Sequence, residues 1–386
     1  MMALIYVDHA ATTPLHPQVI DVMHKVLTKQ YGNPSSIHSF GREAKSIMEQ
    51  ARRTIAHHLG VQAKEIVFTS GGTEADNLAI LGIARAYRDK GKHILSSQAE
   101  HHAVLHALEQ LERDGFEVTY LPVDQNGQVR PEQVEAAIRP DTILASFILV
   151  NNETGVINPI EEIGRMLKER EIIVHTDAVQ ALGALPLDLA ALPVDAVSFS
   201  AHKINGPKGV GCLYIKDGIK LHPLLYGGSQ ERLRRAGTEN VPGVAGFAEA
   251  LKLVYAEWEE RTDKYRKLKA DFLDHLAAQG VPFLFNGDET HSVPHIVNLS
   301  FPGVKASTLL TNLDLEGVAA SSGSACTAGS LTPSHVILAM YHDEERAQSA
   351  VRFSFGLGNT GEEMKELAEK IATILSRLNK QGLNFT

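Results

Sequence analysis

Short apolar runs alternate with amphipathic stretches between residues 60 and 215. Most of the runs are rich in Val, Ile, Leu and Phe without alternating polar positions, which is typical of strands that helices cover on both faces. The alternation predicts βαβ units and a mostly parallel sheet. We expect strands at 65–69, 93–97, 117–122, 142–150, 171–175, 196–200 and 210–215, and helices at 77–88, 102–113 and 160–170.

A different pattern follows a long helical stretch at 241–276. It comprises an apolar run at 296–301, a helix at 305–313, a strand at 351–355 and a helix at 360–378. We therefore expect a smaller α+β domain made of residues 1–12 and 256–386, beside a large domain at 13–255. The predicted fold class is α/β, with the mostly parallel sheet of the large domain sandwiched by helices.

Composition narrows the class of protein. The 386 residues include 37 basic and 46 acidic side chains, a net charge of −9, and 44% are hydrophobic, as in an ordinary soluble protein. The acidic balance argues against nucleic acid as the main partner, and no apolar run approaches the roughly 20 residues of a membrane span. Two cysteines cannot form a disulfide framework, and the N-terminus does not resemble a signal peptide, so we expect a cytoplasmic protein.

Chemically useful side chains follow several of the predicted strands. Ligands of open α/β sheets bind at the carboxyl ends of the strands, so these side chains are expected around one crevice. They are the turn at 70–74, His101, Asn152, Asp177 and Lys203. The turn opens a helix whose free N–H groups would bind an anion, although the same residues also form a good helix N-cap. No Walker pattern follows it, so nucleoside triphosphate hydrolysis is not predicted.

Lys203 and Asp177 have two interpretations each. A lysine among small residues at a strand end can form a Schiff base, but most lysines are solvated surface groups. Asp177 follows an apolar strand and is expected to be buried, where a carboxylate needs a cationic or N–H partner. The pyridinium nitrogen of pyridoxal 5'-phosphate (PLP) would be such a partner, and capping of the next turn is the alternative.

The 18 histidines suggest a metal site as a competing hypothesis. A metal-dependent hydrolase could use His9, His101, His175 and Asp177. Neither an H-E-x-x-H motif nor a Cys/His zinc spacing occurs, so we expect no metal. An aromatic imidazole beside a cofactor ring is the preferred role for His101.

The two cysteines lie in different surroundings. Cys212 is part of an apolar strand pattern and is expected to be a small core residue. Cys326 lies in the run S-S-G-S-A-C-T-A-G-S from Ser321, where no side chain is large enough to anchor a core. A thiol on such a loop is accessible and reactive once deprotonated, or it is an incidental exposed cysteine.

Nine motifs in order give the chain a wider resemblance. They are D-H-A-A-T-T-P at Asp8, Y-G-N-P-S-S at Tyr31, G-G-T-E-A-D-N at Gly71, N-N-E-T-G at Asn151, H-T-D-A-V-Q at His175, S-F-S-A-H-K-I-N-G-P-K-G at Ser198, R-R-A-G-T-E-N at Arg234, S-S-G-S-A-C-T at Ser321 and V-R-F-S-F-G at Val351. With these motifs the chain resembles the cysteine desulfurases of the NifS/IscS type. Those enzymes belong to the class V aminotransferase group of fold-type I PLP enzymes.

The resemblance implies PLP as cofactor. Lys203 would join its aldehyde and move the substrate Cα proton, while Asp177 would pair with the ring nitrogen and Gln180 with the ring hydroxyl. His101 would stack on the ring and exchange a proton at the leaving sulfur. The phosphate would be held by Gly72, Thr73, Ser200, His202 and, from a second subunit, Thr238. The resemblance therefore also implies a homodimer.

The resemblance further implies the reaction. Arg352 would clamp the carboxylate of L-cysteine, helped by Asn33 and Asn152, and Cys326 would take the sulfur as a persulfide, leaving L-alanine. The sulfur would pass to an acceptor protein, either an iron-sulfur scaffold or a tRNA- or cofactor-thiolation enzyme. The alternatives are a selenocysteine lyase or another class V PLP lyase or aminotransferase, in which Cys326 would be incidental.

Overall fold

The computed structural model describes residues 4–323 and 332–380. Its strands are β1 Ile5–Tyr6, β2 Ile66–Thr69, β3 His93–Ser97, β4 Glu117–Leu121, β5 Thr142–Ile148, β6 Ile173–Asp177, β7 Ala196–Ser200, β8 Gly211–Ile215, β9 Leu284–Phe285, β10 Ile296–Ser300, β11 Val318–Ala319 and β12 Ala350–Ser354. Its helices are α1 Pro17–Lys29, α2 Ser39–His58, α3 Gly72–Ala86, α4 His102–Arg113, α5 Pro131–Ala137, α6 Ile160–Lys168, α7 Val241–Ala256, α8 Trp258–Ala278, α9 Ala306–Leu315, α10 His335–Tyr341, α11 Glu344–Gln348 and α12 Gly361–Lys380.

A seven-stranded sheet organises the first part of the chain, with the order β2-β8-β7-β6-β5-β3-β4. Six strands of this sheet run in one direction, and β8 runs antiparallel to them. Alternate strand residues face two separate cores: Phe68 and Cys212 pack in one, and Val67 and Leu213 in the other. The predicted α/β fold with a mostly parallel, helix-covered sheet is confirmed, and so is the burial of Cys212.

A third core lies around a three-stranded antiparallel sheet of order β12-β10-β9. Phe272 of α8 packs against Phe353 of β12, with ring centroids 5.0 Å apart. Strand β1 joins this region by pairing in parallel with β11, and its Ile5 is part of the same buried cluster. None of the helices at 4–323 or 332–380 has both the length and the apolar character that crossing a bilayer requires.

Three predicted elements were wrong in detail. The helix expected at 77–88 begins five residues earlier, as α3 Gly72–Ala86. The helix expected at 241–276 is two helices, α7 and α8, which meet at Glu257 with backbone angles of φ −107° and ψ 10°. The strand expected at 171–175 begins at Ile173 and ends at Asp177. Glu171 has a left-handed φ of 56°, which closes the turn after α6 and delays the strand.

Candidate active site

The carboxyl ends of the parallel strands form a crevice of about 290 Å³. Strands β5, β6 and β7 end beside one another there, and α3 and α4 begin at the same edge. Ten of the residues predicted from the sequence line it: Gly72, Thr73, His101, Asn152, Asp177, Gln180, Ser200, His202, Lys203 and Arg352. The expectation that the strand ends would gather these groups is met for this set.

The start of α3 has the properties of an anion site. A Cβ on Gly72 would lie 2.7 Å from Val179 Cγ2, so only glycine allows the backbone to pass this close. The Ser200 hydroxyl faces the same turn, is buried, and has no hydrogen-bond partner among the residues that the structure describes. His202 is neutral at pH 7 because burial and the charges of Lys203 and Lys208 lower its pKa to about 4. Free helix N–H groups and an unpartnered hydroxyl together suit a phosphate.

Lys203 is held at the crevice by the N-terminal segment. It follows β7 in a short 3₁₀ turn, and its Nζ donates to the carbonyl oxygens of Ala10 at 2.5 Å and Ala11 at 2.8 Å. The Gln180 side-chain amide donates to the same Ala10 oxygen at 2.8 Å. The motif D-H-A-A therefore positions the lysine through backbone groups, which residue identity alone did not reveal.

Asp177 is the last residue of β6, and His101 is the N-cap of α4. Asp177 is 4% exposed and its Oδ1 accepts a hydrogen bond from the N–H of Val179 at 2.9 Å. Burial raises the pKa of Asp177, and this N–H and the Lys203 charge oppose the shift. Burial and Lys203 lower the pKa of His101 to about 4. His101 Nδ1 accepts from the Ala103 N–H, which assigns the proton of the neutral ring to Nε2.

Arg352 is anchored from three directions. Its Nη1 donates to the carbonyl oxygen of Asn152 at 2.7 Å, and its Nη2 to Asp8 at 3.1 Å and Ser321 at 2.9 Å. The side chain is buried, yet within 4–323 and 332–380 neither its Nε nor the side-chain Oδ1 of Asn152 has a hydrogen-bond partner. A carboxylate in the crevice could satisfy such a guanidinium, since arginine binds carboxylates through paired N–H groups.

Two predicted site residues, Asn33 and Thr238, do not line this crevice. Both are exposed on loops elsewhere on the chain, and the Asn33 side chain accepts from the Ser35 N–H at 2.9 Å. Cys326 lies outside the described residues.

The geometry gives little support to the alternative of a metal-dependent hydrolase. His175 is fully buried, and its two ring nitrogens contact the hydroxyls of Ser146 at 2.8 Å and Ser198 at 3.0 Å. His9 lines a different, smaller cavity. Of the four suggested ligands, His101 and Asp177 lie together at the crevice, whereas His9 lies at another cavity and His175 contacts two serine hydroxyls.

Sequence reasoning missed several residues that shape the site. Asp8 holds Arg352, and Asp76 of α3 lines the crevice as a second buried carboxylate. Glu153 is 1% exposed and accepts from the Ser334 hydroxyl at 2.5 Å. Each lies inside a quoted motif, so the motifs located these residues without indicating what they do.

Comparisons with known proteins agree with the site. The sequence model of the family Aminotransferase class-V matches residues 5–367. The chain is 55% identical over 378 residues to the putative cysteine desulfurase IscS 1 of Bacillus subtilis, covering 98% of this chain and 100% of that protein. It is 44% identical over 381 residues to the cysteine desulfurase of Homo sapiens, covering 98% and 83%. A solved NifS-like protein superposes with a TM-score of 0.92 at 39% identity, covering 97% and 100%.

The chain belongs to the class-V aminotransferase family. Within it, these full-length matches confirm the resemblance to the cysteine desulfurases that the motifs indicated. Enzymes of this group use PLP.

Proposed function

We propose that the protein is a PLP-dependent cysteine desulfurase that converts L-cysteine to L-alanine and leaves a persulfide on Cys326. The observation that carries the proposal is the convergence of Lys203, Asp177 and Arg352 on one crevice in a chain of this family. Those groups supply an amine, a buried carboxylate and a carboxylate clamp.

The crevice fits PLP by its own unsatisfied groups. The unpartnered Ser200 hydroxyl and the start of α3 would hold the phosphate, with Thr73 and His202 beside them. Asp177 is buried and needs a positive partner, which a protonated ring nitrogen provides. Bound PLP supplies a ring that accepts the electron pair released when Cα loses its proton.

The chain's own groups would orient the substrate and move protons. Arg352 would bind the carboxylate of L-cysteine. The Asn152 Oδ1, which has no partner among the described residues, would accept a hydrogen bond from an N–H group of the substrate. Lys203, held over the crevice by Ala10 and Ala11, would remove the Cα proton. The neutral His101 ring carries its proton on Nε2 and could donate it near the substrate sulfur.

Sulfur transfer then requires a nucleophilic thiolate. The Cys326 thiolate would attack the substrate sulfur, forming an S–S bond as the Cβ–S bond breaks; the electron pair and a proton end on carbon, giving L-alanine. Gly323, three positions before Cys326 in the sequence, lines the crevice. Both flanks of 324–331 meet Glu153: Ser334 donates to it, and the Gly323 backbone packs against its carboxylate.

A homodimer is part of the proposal. Large apolar side chains are exposed close to Asn33 and Thr238, namely Tyr31, Ile37, Phe40, Tyr226 and Leu233. Ile37 is 91% exposed. Burial of these side chains against a second copy would remove apolar surface from water and would bring Thr238 to the partner's phosphate site.

The sulfur acceptor is proposed by chemical class. A persulfide passes its outer sulfur to a protein thiol or thiolate, as in iron-sulfur cluster assembly or tRNA and cofactor thiolation. A cytoplasmic location fits this role, because a reducing compartment keeps the catalytic cysteine as a thiol.

Reduction with borohydride followed by peptide mapping tests the proposal. We expect a pyridoxyl adduct on Lys203 in the reduced protein. In a separate sample, incubated with L-cysteine and alkylated without borohydride, we expect a persulfide on Cys326. Cys326→Ser should bind PLP and cysteine but release almost no sulfide, whereas the buried control Cys212→Ser should remain active. An adduct on another lysine, or full sulfide release by Cys326→Ser, would refute the assignment.

A further inference from the structure

A second buried carboxylate lies beside Asp177. Asp76 is in the second turn of α3, is 1% exposed and lines the crevice. One of its oxygens lies within 4.8 Å of an Asp177 carboxylate oxygen and of a ring nitrogen of His101. Two carboxylates this close in a water-poor site cannot both ionise without a large electrostatic cost.

One contact favours a negative charge on Asp76, a side-chain hydrogen bond with Ser198, but burial and the charges of Asp177 and Glu100 oppose it. Its Oδ1 is buried, has no hydrogen-bond partner among the described residues and lies 3.7 Å from Nε2 of His175. That imidazole is neutral, because complete burial lowers its pKa to about 3. Its ring nitrogens are already engaged with Ser146 and Ser198. His175 is therefore not a cation for Asp76.

The other ionisable groups that face Asp76 do not supply a positive charge to it either. Glu100, at the end of β3, is fully buried, and burial raises its pKa to about 8. His101 is neutral at pH 7. The Lys203 ammonium acts on Asp177, where its charge favours ionisation. Burial and then the Asp177 charge raise the pKa of Asp76 well above its usual range.

We propose that Asp76 is a positioning residue: it remains the neutral acid and directs its O–H toward the Asp177 carboxylate, within reach of one bridging water, so that Asp177 alone is the anion opposite the cofactor nitrogen. The inference rests on the proposed function, because it needs a bound PLP whose ring nitrogen would pair with Asp177. One carboxyl of the pair is then a hydrogen-bond donor and the other the counter-ion of the ring.

Two variants of nearly equal size separate this role from simple packing. Asp76→Asn keeps a neutral N–H donor in the place of the acid, whereas Asp76→Leu removes it. We expect the PLP dissociation constant, measured by absorbance titration, to change less than about threefold in Asp76→Asn and to rise about tenfold or more in Asp76→Leu. Equal weakening in both variants would overturn the proposal, and so would no weakening in either.

The thermal stability of the apoprotein tests the charge state without PLP. An acid with a raised folded pKa stabilises the fold at low pH and loses that contribution as the pH rises past the ordinary aspartate value of 3.8. Asp76→Asn should therefore raise Tm at pH 7 by about 2 °C or more, with the gain vanishing near pH 4.

Asp195→Asn is the matched control, since Asp195 is equally buried but paired with Lys168 at 2.6 Å. This variant should lower Tm at pH 7. A comparable loss in Asp76→Asn would show that Asp76 is ionised and would overturn the proposal. Failure of the wild type to bind PLP would instead refute the proposed function, while the apoprotein comparison would still decide the charge of Asp76.

Discussion

The two ends of the seven-stranded sheet differ in whether their charged and polar side chains are paired within the chain. At the amino end, Asp195 precedes β7 and accepts hydrogen bonds from Lys168 at 2.6 Å and from the Val174 N–H at 3.0 Å. Arg139 precedes β5 and forms ion pairs with Glu117 at 2.5 Å and Asp141 at 2.9 Å. Each of these charges has its partner inside the chain.

At the carboxyl end, polar atoms remain unpaired. Four buried atoms at the crevice have no hydrogen-bond partner in the part of the chain that the structure describes: the Ser200 hydroxyl, the Asp76 Oδ1, the Asn152 Oδ1 and the Arg352 Nε. Buried polar groups are normally satisfied, so such a concentration at one edge indicates atoms that a ligand completes. The same strands thus serve stability at one end and binding at the other.

Replacement of Arg352 should give the largest effect. Arg352→Gln removes a buried charge-assisted contact worth about 1.5–3 kcal/mol, so kcat/KM for L-cysteine should fall roughly 10- to 100-fold, mostly through KM. Steady-state sulfide release measures it. Arg139→Gln, at the amino end, is the control and should stay within about twofold of wild type. Equal losses in the two variants would remove the functional difference between the ends.

Asp195→Asn should lower the stability of the fold and leave binding at the crevice unchanged. It removes the charge that pairs with Lys168 while leaving the crevice untouched, so the free energy of unfolding should fall by about 2 kcal/mol. Because Lys168 is 34% exposed, water compensates part of the loss. Urea unfolding measures the change, and PLP affinity should be retained. A variant that keeps its stability but loses PLP would contradict the comparison.

The sequence predicted the crevice end well because its signals are local. Apolar runs mark where strands end, and Asp177 and Lys203 directly follow such runs. The signals for α1 and α2 were weaker. Both helices are N-capped by histidines, His16 and His38, whose Nδ1 atoms accept backbone N–H groups at 3.2 and 3.3 Å. Ser, Thr, Asp and Asn are the usual start signals, so these beginnings were not recognised.

Contacts between distant parts of the chain could not be predicted from one sequence. Asp8 and Arg352 are separated by 344 positions and meet only when β12 is paired in its sheet. The Lys203 contacts with Ala10 and Ala11 use backbone carbonyl oxygens, which no residue type reports. Family motifs placed these segments in one active site, but the physical reason for each motif came from the packing.

Acid titration should give the smallest effect and refine the comparison of the two ends. His202 at the crevice has a folded pKa of about 4, below the ordinary 6.5, because of burial and the charges of Lys203 and Lys208. The unfolded chain therefore binds a proton as the pH falls below 6.5, and the folded protein does not until about pH 4. His202 thus stabilises the fold above pH 6.5 and loses this contribution as the pH falls toward 4.

His202→Gln removes that dependence. Between pH 6.5 and 4.5, the free energy of unfolding of the apoprotein should fall less steeply in this variant, by up to about 1 kcal/mol per pH unit, because one fewer proton is taken up on unfolding. His24→Gln on the exposed face of α1 is the control and should leave the slope unchanged. Urea titrations at several pH values measure both slopes. Identical slopes in the two variants would mean that the crevice end does not hold His202 neutral, and the contrast with the paired charges at the other end would then rest on the carboxylates alone.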